Sequence, residues 1–362
     1  MLMFNVLEKY NILETVIRVD VIESGIINRS FYIKTKNGNF VLQLIQNKLF
    51  KKPQLALDNI SKIMDFYDRF KDKEKLPYDI ELVESVDNEE GITINKTYWS
   101  CYRVPENATM HHFPINETMV YNIGKAIGQF HHFFKDFPVK ELNITIPHHH
   151  DPYRDCEKLL RYIYKEKREK TLFMFNESIF PIRRQNDMKL ITDLLAKKEI
   201  PTRVIHNNLR PNNFLFNEKD HSVMALIGYD AIMPGSWLHD FGEAARYFVS
   251  TISSDDPAYA CINYDYFKRF TKGYLEAVND DITEKEFEHL VDALRLMALE
   301  RGLRYLNDYI VDNKLFNVEY EEENLDKARR QYKIVSEVEK NYDKLKEIVR
   351  EAREEVEKSR SN

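Results

Sequence analysis

Apolar and polar positions divide the chain into two regions with different periods. Residues 16–22 form a β-branched run. The runs 31–35 and 40–45 flank Asn37-Gly38, a pair suited to the left-handed positions of a type I′ turn, so a hairpin is predicted there. Pro53 opens a helix whose stripe, Leu57, Ile60, Ile63, Met64 and Phe66, recurs at helical spacing. Two further strands are expected at 80–86 and 92–104, separated by the charged turn 87–91.

After Pro105 the pattern becomes helical, with segments predicted at 118–134, 151–167, 180–197, 264–278 and 284–309. A loop at 204–216 and a strand at 223–230 interrupt them. A long final helix is expected over 321–358. Its positions Val335, Val338, Tyr342, Leu345, Val349, Ala352 and Val356 alternate spacings of three and four. That stripe suits either packing on the chain's own C-terminal lobe or a homodimer seam. Five strands with one helix, a short connector and then a helical region predict a β-rich lobe at 1–104, a hinge at 105–108 and a mainly helical lobe at 109–362.

Composition narrows the function classes. The 362 residues are 43% hydrophobic and 31% charged, ordinary for a folded protein with sizeable cores. A net charge of -6, with no Lys/Arg-dense stripe among aromatics, argues against a nucleic-acid partner. No window approaches the roughly 20 apolar residues that span a bilayer, so no membrane partner is expected. Three scattered cysteines fit no disulfide framework or zinc pattern, which suits a reducing cytoplasm. Only 10 glycines occur, and neither GxxxxGK[ST] nor GxGxxG is present.

Candidate chemistry concentrates in His206-Asn-Asn-Leu-Arg-Pro-Asn-Asn213 and in Ile227-Gly-Tyr-Asp-Ala-Ile-Met-Pro-Gly235. Phosphoryl transfer is mostly positioning and charge neutralisation. A His-x-Asp-x-x-x-x-Asn loop presents a base and a metal ligand to one phosphoryl group, and a following strand ends in a second metal-binding Asp. Here Asn208 holds the base slot and Gly228 the strand slot. An amide cannot accept the hydroxyl proton, a loss of roughly 10² to 10⁴ in rate, and glycine offers no ligand to a hard cation. If the strand stays regular, Asp230 shares the face of position 228 but lies about 6 to 7 Å along it.

These segments, with Asp240-Phe-Gly-Glu243, Ile27-Asn-Arg-Ser-Phe-Tyr-Ile33, His150-Asp151 and Arg304-Tyr-Leu-Asn-Asp-Tyr309, resemble the aminoglycoside phosphotransferase and choline kinase-like superfamily. More narrowly they are similar to the N-acetylhexosamine 1-kinases, whose loop reads His-Asn-Asp-Thr-Lys-x-Asn-Asn and whose strand reads Ile-Asp-Leu-Asp. The resemblance implies an α+β, two-lobed protein-kinase-like fold, a small-molecule sugar substrate, and ATP and Mg²⁺ if activity or binding survives. It places His206 and Asp240 as supports of the loop, and Asn213 and Asp230 as the remaining metal ligands. Arg103, Val104, Pro105 and Glu106 fall at the nucleotide hinge, and Asn28 and Arg304 fall to the substrate. For Arg304 an ordinary surface role is the alternative. The expected activity is that of a pseudokinase. The alternatives are an active sugar 1-kinase using Asn213 and Asp230, or a protein-interaction scaffold. The histidines at 148–150 read as structural rather than metal-binding.

Overall fold

The computed structural model describes residues 2–22, 29–45, 50, 52–73, 76, 81–166, 168–251 and 260–361. The N-terminal lobe is a five-stranded antiparallel sheet in the order β1-β2-β3-β5-β4. Its strands are β1 (Val16–Ile22), β2 (Arg29–Thr35), β3 (Gly38–Ile45), β4 (Gly91–Ile94) and β5 (Thr97–Val104). Helix α1 (Leu2–Lys9) covers the outer face, where Val6 and Leu7 join Ile33, Leu42, Trp99 and Cys101 in a separate core. Helix α2 (Pro53–Phe70) has Pro in its first turn and lays Ile60, Ile63, Met64, Phe66 and Tyr67 on the main core.

Two turns differ from the sequence expectation. Between β2 and β3 the turn residues are Lys36 and Asn37, and of the pair 37–38 only Gly38 has positive φ, at 133°. That turn is therefore not type I′. The left-handed pair lies instead at Asn95 (φ 50°) and Lys96 (φ 62°), which fold the predicted strand 92–104 into the β4–β5 hairpin. Within the predicted strand 80–86, residue 80 lies outside the described residues. Residues 81–85 run beside β5 without forming a regular strand, with a bridge at Leu82–Tyr102, the Val83 N–H donating to the Cys101 carbonyl at 2.8 Å and the Arg103 N–H to the Glu81 carbonyl at 2.9 Å, and Val86 lies in a turn.

After the connector, β6 (Ala108–Thr109) pairs with β8 (Phe214–Asn217), which pairs with β9 (Val223–Leu226), while β7 (Arg203–Ile205) pairs with β10 (Met233–Gly235). Around these short strands pack α3 (Glu117–Phe133), α4 (Pro152–Arg161), α5 (Arg168–Phe173), α6 (Phe175–Ile182) and α7 (Leu190–Ala196). They are followed by α8 (Trp237–Phe248), α9 (Tyr264–Val278), α10 (Glu284–Glu288), α11 (Leu290–Ile310), α12 (Glu323–Lys340) and α13 (Tyr342–Ser361). Asn116 and Asn263 cap α3 and α9, and Thr283 with Glu286 closes a capping box on α10. Helices α3 and α9 approach closely because Gly124 and Gly128 face the α9 backbone. A Cβ on Gly124 would stand 2.1 Å from the Phe270 carbonyl oxygen.

The predicted helices 151–167 and 180–197 are not continuous. A π-helical turn at Tyr162–Glu166 follows α4, and the second segment is the end of α6, a 3-10 turn at Asp187–Lys189 and α7. The final helix 321–358 is likewise two helices broken at Asn341. Its stripe is consumed inside the chain. Val335, Val338, Leu345, Ala352 and Val356 are fully buried in the main core, with α12 against α11 and α13 against α9. A homodimer seam along this helix would need those side chains exposed, and they are not. No helix among the described residues is long and apolar enough to cross a membrane.

Candidate active site

The loop after β7 is anchored from α8. Ser236 caps α8 and forms a capping box with His239, so Asp240 lies in the first helical turn. The Asp240 carboxylate accepts from the His206 N–H (2.6 Å), the Asn207 N–H (2.7 Å) and His131 Nε2 (3.0 Å), all fully or nearly fully buried. His131 in turn stacks on Trp237 at 4.8 Å. The His206 ring lies between Phe130 and Tyr229, and burial pushes its pKa down to about 4, so it is neutral near pH 7. Asn207 takes the left-handed conformation (φ 67°), which Asn tolerates, and accepts from His150 Nε2 at 2.5 Å. His150 also bonds Glu300 at 3.1 Å, so this histidine braces the loop.

The transfer centre departs from the geometry of a regular strand. β9 ends at Leu226, Gly228 adopts φ 91° and ψ 42°, and Tyr229–Ala231 make a 3-10 turn. Asp230 is therefore not two positions along a strand. Its Oδ1 swings back to 3.4 Å from Asn208 Nδ2, which also reaches the Gly228 carbonyl at 3.3 Å. The space a side chain at 228 would enter is filled: a Cβ there would lie 2.6 Å from Asn213 Nδ2 and 2.9 Å from its Cγ. Asn213 holds that place by donating to the Asn208 carbonyl at 2.6 Å. Its Oδ1 faces Gln43 Nε2 of β3 at 3.5 Å, a long bond that joins the two lobes.

Mg²⁺ demands near-octahedral anionic or polar oxygen ligands. At the two metal slots this chain offers no donor at 228 and an Asn213 oxygen turned toward an amide. Among the described residues no group of three or more His, Cys, Asp or Glu could hold a metal ion. The residues present do not fit the family's two-ligand Mg²⁺ site. At the hinge, Arg103 turns away from the cleft, pairing with Glu81 and lying 5.0 Å over Phe40. Val104 is buried at the end of β5, paired with Asn39 of β3, and Pro105 has no N–H, so Glu106 carries the first backbone N–H past the strand. Asn28 lies outside the described residues.

Beside the loop a cavity of about 510 Å³ opens between Asn207, Asn208 and Arg210 on one side and α11 on the other. Arg304 lines it and is fixed by Glu300 (2.8 Å), Asp155 (3.2 Å) and His149 Nδ1 (3.3 Å), so it is part of the wall rather than an open surface side chain. Arg301, Asn307 and Arg210 line it too, and sequence reasoning singled out none of them. Arg210 was accessible in principle, because it occupies the place of Lys in the loop motif. Arg301 and Asn307 sit one helical turn to either side of Arg304, a signal that helical periodicity carries.

A β-rich lobe joined by one connector to a helical lobe, with a His-loop and a turn facing one cavity, defines a small-molecule kinase fold. The phosphotransferase enzyme family (APH) matches residues 18–277, and the chain belongs to that family. Among solved structures, a microcompartment-associated aminopropanol kinase aligns with TM-score 0.63 and 11% identity over 95% of this chain and 98% of its own. A spectinomycin phosphotransferase in complex with ADP and spectinomycin aligns at TM-score 0.58 and 13% identity, over 93% and 96%. An ethanolamine kinase from Plasmodium vivax aligns at TM-score 0.55 and 11% identity, over 89% and 83%.

Proposed function

We propose that this chain is a catalytically impaired member of the family, a pseudokinase of N-acetylhexosamine 1-kinase type that retains its small-molecule cavity. The observation that carries the reading is the Asn213 carboxamide packed where a metal-binding side chain at 228 would project. Asn208 compounds it, since its amide donates toward Asp230 and cannot take a proton from a substrate hydroxyl. ADP in the spectinomycin enzyme supports nucleotide use in such folds, and the Glu106 backbone N–H is what this chain offers an adenine.

One observation favours an active sugar kinase instead. The turn at 229–231 brings a carboxylate beside the base slot, so Asp230 could orient a hydroxyl there. A loose, dissociative transition state asks little of a base. Both readings meet in one experiment: thermal shift with ATP, Mg²⁺ and N-acetylhexosamines, alongside a phosphate-transfer assay. The impaired reading expects sugar-dependent stabilisation without transfer near the roughly 1–100 s⁻¹ of ordinary kinases. Transfer at such rates, abolished by Asp230→Ala, would establish the second reading and remove the first.

A further inference from the structure

The cavity carries a charge pattern that phosphoryl transfer to a neutral sugar does not require. Five basic side chains line it, Lys158, Arg210, Arg301, Arg304 and Lys314, against the three carboxylates Asp155, Asp230 and Asp308. The carboxylates are engaged by the protein. Asp308 accepts from the Leu315 N–H (2.8 Å), the Phe316 N–H (2.9 Å) and Asn324 Nδ2 (3.1 Å), and Asp155 accepts from Arg304. Behind the wall Glu300 pairs with Arg304, and one carboxylate, Glu243, serves both Arg246 and Arg301.

Arg210 adds a further positive charge to that cluster, and its side chain makes no hydrogen bond or ion pair among the described residues. The nearby Tyr247 hydroxyl is buried and also lacks a hydrogen-bond partner. Arg246, Arg301 and Arg210 together pull the Tyr247 phenol below its ordinary pKa against the opposing effects of its burial and of Glu243. A guanidinium presents a planar fork of donors that matches phosphate or carboxylate oxygens.

We propose that the cavity binds a small anionic molecule, a monosaccharide bearing a phosphate or carboxylate group, with that group on Arg210 and Arg301. The proposal rests on the reading of the cavity as a retained ligand site. A volume of about 510 Å³ falls within the roughly 300–1,000 Å³ of small-molecule sites. Primary amines such as ethanolamine and aminopropanol are cations at neutral pH and would meet the basic residues unfavourably.

The test is calorimetric titration of the full chain with glucose-1-phosphate, glucuronate, glucose, ethanolamine, inorganic phosphate and ATP, on wild type, Arg210→Ala and Arg210→Lys. One or both charged sugars should bind, and which of them does so identifies the anionic group. Glucose and ethanolamine should not bind measurably. Arg210→Ala should weaken the charged sugar by about tenfold or more, with Arg210→Lys between. Circular dichroism of each variant separates lost binding from lost folding, and Arg301→Lys serves as the second variant if Arg210→Ala does not fold.

Equal binding of glucose or ethanolamine, or charged-sugar binding unchanged in a folded Arg210→Ala protein, overturns the proposal. Binding confined to ATP places Arg210 on a nucleotide phosphate and overturns it as well. Phosphate transfer from ATP is read separately. Its appearance defeats the impaired-kinase reading alone, and absent charged-sugar binding defeats this proposal alone.

Discussion

Restoring the missing carboxylate by Gly228→Asp should harm the protein before it helps it. Position 228 has φ 91°, where an L-residue is strained by roughly 1–2 kcal/mol. The new Cβ would meet Asn213 Nδ2 at 2.6 Å and Asn208 Nδ2 at 3.0 Å, so the Asn213 side chain must leave its place. Moving it breaks the 2.6 Å bond to the Asn208 carbonyl, worth about 0.5–1.5 kcal/mol net. Together these give a loss of about 1.5–3.5 kcal/mol. With an unfolding entropy of roughly 2.1 cal/mol/K per residue, a chain of 362 residues loses about 2–5 °C in midpoint. Differential scanning fluorimetry on Gly228→Asp and Gly228→Ala measures it, the alanine isolating backbone and packing from charge. A midpoint for Gly228→Ala within about 1 °C of wild type would refute the steric argument. Stabilisation of the wild-type chain by Mg²⁺ alone would refute the claim that the site does not fit the metal.

Asn208→Asp should place a second carboxylate beside Asp230, whose Oδ1 lies 3.4 Å from Asn208 Nδ2. Like charges at that range raise one pKa, so the variant should be less stable at pH 8 than at pH 5 relative to wild type; denaturant midpoints showing the same penalty at both would count against it. Asp240→Asn removes the charge and turns one of the two oxygens that accept from the His206 N–H, the Asn207 N–H and His131 into a donor, and should cost about 2–4 kcal/mol by denaturant titration, with a change under about 1 kcal/mol disproving the anchoring role. His131, His149, His206 and His239 all have pKa values depressed by burial, so each binds its proton more readily when unfolded. Their stabilisation is complete above the unfolded value of about 6.5 and is lost as pH falls toward their folded values, about 4 for His206. Stability should therefore decline between pH 6.5 and 4.5, and His206→Leu should flatten that slope; a flat wild-type profile would contradict the assignment. Val349→Asp places a charge in the α13 seam, where Val349 is 2% exposed. It should cost several kcal/mol while sedimentation still reports the wild-type oligomeric state, and a shift in that state would reopen the dimer seam.

Much of the fold was legible because long periodic runs report burial directly. The stripes of α2, α3 and α9 each stand on one face of one helix, whereas α11 is buried almost all round and the β-branched run of β1 leaves Ile17, Val19 and Val21 exposed. What escaped was local backbone geometry. Asn95-Lys96 lacks the glycine that usually signals a tight turn, so the hairpin was hidden inside a run that alternates well on both sides. The segment 180–197 keeps helical spacing although Pro181 and the turn at 183–186 divide it. At the site, residue types were readable and directions were not. Asp230 was placed along a strand because nothing in the sequence announces that Gly228 would turn the chain left-handed. Arg210 and Arg301 gain meaning only when their loop and helix are seen to face one cavity.

Asn59, buried on α2, has a consequence for motion. Its amide donates to the Ile232 carbonyl at 2.7 Å and the Asn143 carbonyl at 2.9 Å, and its oxygen accepts from the Asn143 N–H at 2.8 Å. With Gln43 on Asn213 and Tyr102 accepting from the Tyr229 N–H at 3.3 Å, neutral groups of the protein latch one lobe to the other. Such a latch needs no nucleotide to bridge the lobes, and it is little affected by salt. The two lobes of this chain are joined by its own amides and a phenol, so a molecule entering the cavity meets halves already linked.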